Sequence, residues 1–480
     1  MRLVDSRPAA AGGRVPPPIR IAEIVAATGG RLSGDVSVAA IRGAVVDSRI
    51  VVAGCLFVAM AGAHDDGHRH ITEAVARGAA AVLVEHPVTV PDESSVAIIQ
   101  VSDSPLALQE LAAWWRSRSA VRVVGVTGST GKTIGKEMIA DVLARGHRVL
   151  RSSGNQNSES GLPMSLLNLE PGDEVAVLEM GMYTTGEIAR LTEIARPTVG
   201  VVLTVHPTHL ERAGSLDQIA AAKSELPAAL PKEGLAVLNA DDLRVAAMRS
   251  VTPARVRTFG LDAQADVRAT DIDSRGLEGT MFTLSAPWGV RRLRSAALGR
   301  HLVPTALAAA AVAEEFGVGL NEVEAALGAG SSAPHRMVAV EAPGGATVID
   351  DSYNASPESV VAALTFLAET PVGRGRRLAV LGDMLELGPD EERLHRQVGA
   401  AAASVVDGLL AVGSRGAWVA EGARSAGLAT ILTAADVDEA IGVVDRGLAP
   451  KAGDILLVKG SRGVALDRLV AALSGTGSEA

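Results

Sequence analysis

The stretch that most constrains this chain is Val121–Lys136, which reads VRVVGVTGSTGKTIGK. A β-branched run, Val121 to Val126, leads into Thr127, Gly128, Ser129, Thr130, Gly131, Lys132 and Thr133. A helical pattern then opens at Ile134 with Glu137, Met138, Ile139, Val142 and Leu143. Strand, glycine turn and helix in that order point to an α/β fold with a parallel sheet. Backbone N–H groups in such a turn converge on phosphate oxygens at the positive end of the helix. Lys132 would then reach the terminal phosphates and the Thr133 hydroxyl would bind Mg²⁺. The spacing is unusual: the residue five before Gly131 is Val126, and Gly125, Gly128 and Gly131 recur every three positions. A plain Gly/Ser/Thr turn is the bland alternative. GKT between a strand and a helix favours an ATP or GTP site over Gly128–Thr133.

At 480 residues the chain is too long for one core, so two or three domains are expected. Aromatic residues are only 2% against 48% hydrophobic overall, so Ala, Val and Leu must fill the cores. A net charge of −10 argues against a nucleic-acid footprint. The single cysteine, Cys55, excludes an internal disulfide and suits a reducing cytosol, so a cytoplasmic location is expected. No charge-free apolar run of about 18 residues occurs, so no membrane span is expected. Residues 1–20, with Pro8 and Pro16–Pro18, read as a loose extension rather than a signal peptide.

The pattern divides the remainder into three α/β domains: 21–119, 120–330 and 331–480. In the first, helices over Ile21–Ala27, Ile71–Arg77 and Pro105–Arg116 alternate with strands at Ala44–Val46, Cys55–Ala59 and Ala80–Val84. Asp47-Ser48-Arg49 and the polar loop His64–His70, with Asp66, Gly67 and His68, suit phosphate and sugar hydroxyls. In the second, strand Val175–Glu179 is apolar until its last residue, and a carboxylate there can face the glycine turn and bind the nucleotide's Mg²⁺. Strand Val199–Thr204 runs into His206-Pro207-Thr208-His209, helix Ser215–Leu226 carries Lys223, and residues 255–295 read as a short β-rich insertion. Gly328–Pro334 reads as a linker. In the third, Val348–Asp351 ends in two carboxylates before Ser352-Tyr353-Asn354, and Asp454–Val458 runs into Lys459-Gly460-Ser461-Arg462.

Together these residues resemble the Mur ligases, the ATP-dependent amide-forming enzymes of peptidoglycan synthesis. The resemblance rests on Asp47–Arg49, Asp66–His68, Thr127–Thr133, Glu179–Gly181, His209–Glu211, Ala222-Lys223, His335–Met337, Ile349–Asn354, Leu381–Gly388, His395 and Lys459–Arg462. IDDSYNASPES and LGDMLELG are its long, specific stretches, and no Asp-Asn-Pro-Arg motif of the diaminopimelate-adding members is found.

The resemblance implies a small UDP-substrate domain, a central parallel-sheet ATPase domain and a Rossmann-like C-terminal domain that closes over the nucleotide. It implies ATP and Mg²⁺ as cofactors. The implied substrates are UDP-N-acetylmuramoyl-tripeptide and D-alanyl-D-alanine, joined through an acyl phosphate, with a monomer expected. Residue by residue, Lys132 and Thr133 would hold phosphates and Mg²⁺. Glu179 and His209 would be Mg²⁺ ligands, and Lys223 would be carbamylated to bridge a second ion. Arg336 and Asp351 would help bind nucleotide. Asp47, Ser48, Arg49, Asn157, Ser158 and Asn354 would serve the substrates.

The chain departs from the family pattern at several positions. Leu302 and Thr305 replace two adenine-side asparagines, and Thr204, His206, Ser158, Cys55 and Ile134 are also changed. Two other readings remain compatible with the residues: a Mur-like ligase with a different amine acceptor, and an inactive nucleotide-binding homologue.

Overall fold

In a computed structural model, described over residues 16–35, 37–62, 65–91, 94–207, 214–330 and 333–475, the chain builds three large sheets in succession and one two-stranded pair. The first has five strands in the order Arg31–Gly34, Ala97–Gln100, Ala81–Val84, Leu56–Val58, Ala44–Val45, parallel except for the first. The loose extension expected over residues 1–20 is overturned at its end. Ile19–Arg20 pairs with Ala40–Ile41, and Ile19 is wholly buried, because an isoleucine beside the sheet gains more from the core than from water. The polar loop at 64–70 is in part a 3₁₀ turn, Gly67–His70. His64 lies outside the described residues.

The central sheet has nine strands. Seven run parallel in the order Val149–Arg151, Val175–Glu179, Arg122–Thr127, Val199–Val202, Leu235–Asn239, Arg255–Gly260, Val267–Ser274. From Arg122–Thr127 the chain first builds the neighbours on one side and then crosses to the other. The crevice at the C-terminal end of that strand is therefore the place where strand order reverses and ligands bind. The stretch read as an insertion is instead the continuation of this sheet. Arg255–Gly260 joins in parallel, and Val267–Ser274, Thr280–Ala286 and Gly289–Ser295 extend the edge, the last two antiparallel.

Both faces of the central sheet are covered, as unbroken apolar runs require. Val124, Val126, Val175 and Val177 face the helices Lys132–Leu143 and Val303–Glu315, while Val123, Ala176 and Leu178 face the opposite cluster. Val303–Glu315 is buried along almost its whole length, since its alanines let it lie close to the sheet. The linker expected at 328–334 begins later, because Gly328 and Ala329 close the helix Leu320–Ala329.

The third sheet has six strands in the order Val338–Glu341, Thr347–Asp351, Ile455–Lys459, Arg377–Gly382, Gly408–Val412, Ile431–Ala434, parallel except for the first. Among the described residues no helix is long and apolar enough to cross a membrane.

Candidate active site

The glycine turn is fixed by its own backbone and by a neighbouring strand end. Gly131 adopts a left-handed backbone (φ 79°), which a side chain would strain, and it caps the helix Lys132–Leu143. The next strand end braces the turn. Ser129 N–H donates to Thr204 O (2.8 Å), Thr130 N–H to Thr204 Oγ1 (3.1 Å), and His206 N–H to Ser129 Oγ (2.9 Å). Lys132 folds back on its own turn, with Nζ 2.8 Å from Gly128 O and 3.3 Å from Ser129 O. Burial lowers its pKa and Arg336 lowers it further, while Glu179 pushes it up.

Glu179 is the hub. Its strand ends beside the turn, and its buried carboxylate accepts Thr133 Oγ1–H on Oε2 (2.9 Å) and Asn157 Nδ2–H on Oε1 (2.7 Å). Two expected metal ligands and one expected substrate residue thus meet on one group. Asn157 is fixed in turn, since Gly181 N–H donates to its carbonyl (2.8 Å). Ser158 is spent locally: its hydroxyl accepts Gly161 N–H (3.2 Å) at the start of the helix Gly161–Leu166. Lys223, which the sequence alone would place on the surface, is 2% exposed. Burial, and then the charge of Lys132, drive its pKa well below the usual lysine value. His209 lies outside the described residues.

The third sheet faces this cluster. Asp351 and Lys459 end adjacent strands and form a buried ion pair (2.5 Å), and Lys459 also donates to Asn354 O (2.9 Å). Asp350 holds His335 Nδ1 (2.7 Å) and Ser352 Oγ (2.6 Å). His335 and Met337 both take left-handed backbones and flank Arg336. The Arg336 guanidinium sits 4.4 Å from the Tyr353 ring centre and that of Arg462 sits 5.6 Å away. Among the described residues, Arg336 Nε is buried with no hydrogen-bond partner. An unpaired guanidinium N–H facing a phosphate turn fits an anionic ligand.

In the first sheet, Asp47 and Arg49 pair with each other (2.7 Å), and Ser48 Oγ donates to Glu73 (2.7 Å). Asp66, His68 and His86 come within 4.8 Å, close enough to hold a metal. His68, however, uses both ring nitrogens, one on Asp66 (2.7 Å) and one accepting Glu85 N–H (3.0 Å), so it has no lone pair to offer.

Family models match the chain along its length: "Mur ligase family, catalytic domain" over residues 40–116, "Mur ligase middle domain" over 126–313, and "Mur ligase, glutamate ligase domain" over 335–462. The UDP-N-acetylmuramoyl-tripeptide–D-alanyl-D-alanine ligase of Escherichia coli is 36% identical over 96% of this chain and 99% of its own. The chain belongs to the Mur ligase family. Among solved Mur ligases, a MurF from Acinetobacter baumannii superposes with a TM-score of 0.82 at 30% identity, covering 96% of this chain and 99% of that one. A MurF from Thermotoga maritima in complex with ADP gives 0.75 at 29%, covering 90% and 97%.

Several residues of this Mur ligase were not singled out from sequence. Lys136 and Ser152 are examples; only the burial and partners seen in the fold mark them. Leu302 and Thr305, which replace asparagines, are both buried, and Thr305 lies beneath Gly131 and Gly135.

Proposed function

We propose that this Mur ligase joins D-alanyl-D-alanine to UDP-N-acetylmuramoyl-tripeptide with hydrolysis of ATP to ADP and phosphate. The carrying observation is the Glu179 hub, where the phosphate turn (through Thr133) and the 152–160 turn (through Asn157) share one carboxylate. The E. coli relative's name states this reaction, and the ADP complex of the T. maritima MurF supports nucleotide binding by the fold.

A peptide carboxylate is a poor electrophile, so the γ-phosphoryl of ATP is transferred to it first. Lys132 swings from the carbonyls of Gly128 and Ser129 to the transferring phosphoryl oxygens, and Arg336 approaches them from the other lobe. The dipeptide amine then attacks the acyl carbon, and phosphate leaves. Closure of the C-terminal lobe excludes water, which would otherwise hydrolyse the acyl phosphate.

Thr133 and Glu179 are hard oxygen donors 2.9 Å apart and would suit Mg²⁺, and the family resemblance implies His209 as a further ligand. Magnesium, when bound, would neutralise charge on the phosphoryl oxygens. Lys223 as an ammonium does not fit a cation site. Burial and the nearby Lys132 charge favour the neutral amine, the form that adds CO₂ with loss of a proton to give an anionic carbamate able to face a metal. A fully active Lys223→Ala variant would remove the carbamate from the account. Asp47, Ser48 and Arg49 serve the UDP-sugar, Asp351 and Arg336 the nucleotide, and Asn354 the closed cleft. The setting is a cytoplasmic monomer.

Phosphate release tests the reading. It should require both UDP-N-acetylmuramoyl-tripeptide and D-alanyl-D-alanine. Release with either alone, or none with both, would overturn it. Activity only with another amine in place of the dipeptide would point to a different acceptor.

A further inference from the structure

Lys136 lies one turn into the helix that follows the phosphate turn, and its side chain is 0% exposed. A buried ammonium needs acceptors for its three protons. Nζ finds them in Ser152 O (2.5 Å), Gly154 O (3.3 Å) and Glu137 Oε1 (2.8 Å). Arg151 donates both to Glu137 (2.7 Å) and to Asp141 (2.7 Å). Burial pushes the Glu137 carboxyl up, but Lys136 and Arg151 together hold it below its usual value, which favours the carboxylate. Buried ion pairs seldom add net stability over apolar residues of similar volume, so what this one contributes is geometry.

The geometry concerns one turn. Ser152 and Gly154 begin the segment that reaches Asn157 and the helix Gly161–Leu166. Ser152 Oγ accepts Glu179 N–H (3.1 Å), and Asn157 closes on the Glu179 carboxylate (2.7 Å). There is no slack at the far end: a Cβ on Gly181 would fall 2.9 Å from the Asn157 amide carbon. The turn is therefore gripped by Lys136 where it starts and by the Glu179 strand where it finishes.

We propose that Lys136 is a positioning residue of the ligation reaction, gripping the Ser152 and Gly154 carbonyls so that the turn presents Asn157 to Glu179. It touches no reactant and acts through the 152–157 turn, tying the seat of the acid substrate to the helix that carries Lys132 and Thr133. The proposal rests on the ligase reading above.

Steady-state kinetics on the full chain test it, using Lys136→Met paired with Glu137→Gln, which removes the carboxylate that the lost ammonium would strand. KM for UDP-N-acetylmuramoyl-tripeptide should rise about tenfold while KM for ATP stays within about twofold. A general loosening of the fold would not produce that split. Lys136→Arg keeps the cation and serves as a milder second variant, with the same split at about threefold. Folded variants with both KM values unchanged, or both raised equally, would overturn the proposal. A parent enzyme that releases phosphate without the dipeptide would instead overturn the ligase reading, a failure visible before any variant is made.

Discussion

The two junctions between the lobes are built differently. One apolar cluster runs without a break from Ile19, Leu56 and Leu111 of the first lobe to Leu178, Ile188 and Leu191 of the second. Across the same junction, Gln109 accepts Arg190 (2.7 Å). The buried Arg116 donates to the carbonyls of Ala195 (2.9 Å), Ser119 (2.9 Å) and Val121 (3.0 Å). At the other junction, Leu298 is the one residue of the central lobe, among those described, that enters the main apolar cluster of the third lobe. Its other contacts include Gly276 against Thr370 and Pro371, and Arg300 with Glu369 (3.4 Å).

The first junction is an interior and the second is a cleft. Lys132 and Glu179 face Arg336 and Tyr353 across that cleft: beyond the effect of burial, the Arg336 charge lowers the pKa of Lys132, and the Glu179 charge raises that of Tyr353. A reaction that must admit three substrates and then exclude water suits the junction that fewer apolar contacts hold together.

Four variants probe this contrast, from the strongest effect to the weakest. Lys132→Ala, at the cleft, should lower turnover on the order of a thousandfold, with the melting temperature unchanged. A variant within tenfold of the parent would place the phosphoryl contact elsewhere. Arg116→Met, in the fused junction, strands three carbonyls and should cost about 3 kcal/mol in denaturant unfolding. A loss below about 1 kcal/mol would mean that apolar packing alone holds that junction.

His395→Gln tests the third lobe's internal order. The buried His395 ring accepts Met384 N–H (3.0 Å) and donates to Glu391 O (2.6 Å), which requires the neutral form. Burial lowers its pKa, so the unfolded chain binds the proton more readily than the folded one. The stability that depends on neutral His395 is complete above the unfolded value of about 6.5 and is lost as pH falls toward the folded one. Chemical denaturation of the parent between pH 7 and 5 should show that loss, and the variant a smaller one, since His301, its pKa lowered to about 4 by desolvation, contributes its own share; equal slopes would exclude His395 as a cause. Arg300→Ala removes an exposed pair across the cleft and should change stability by under about 0.5 kcal/mol. A larger loss would make the second junction tighter than its contacts indicate.

How much was legible follows the same division. The phosphate turn, the strand ending in Glu179 and the strand ending in Asp351 could be read directly, because β-branched runs that stop at a polar residue mark buried parallel strands. The sheet edge over 255–295 read as an insertion because alternating, half-exposed strands such as Gly289–Ser295 carry a weaker signal. Ile19 was hidden behind three prolines, and its burial depends on a strand 21 residues away. Lys223 and Lys136 look like ordinary charged helix residues; only tertiary packing shows that both are buried.

Oxygen transfer tests the central claim most directly. UDP-N-acetylmuramoyl-tripeptide labelled with ¹⁸O in its terminal carboxylate is turned over with ATP and D-alanyl-D-alanine, and the released phosphate is weighed by mass spectrometry. Phosphate carrying one ¹⁸O per turnover is the predicted result, since the carboxylate oxygen leaves with the phosphoryl group. Unlabelled phosphate alongside peptide product would contradict it.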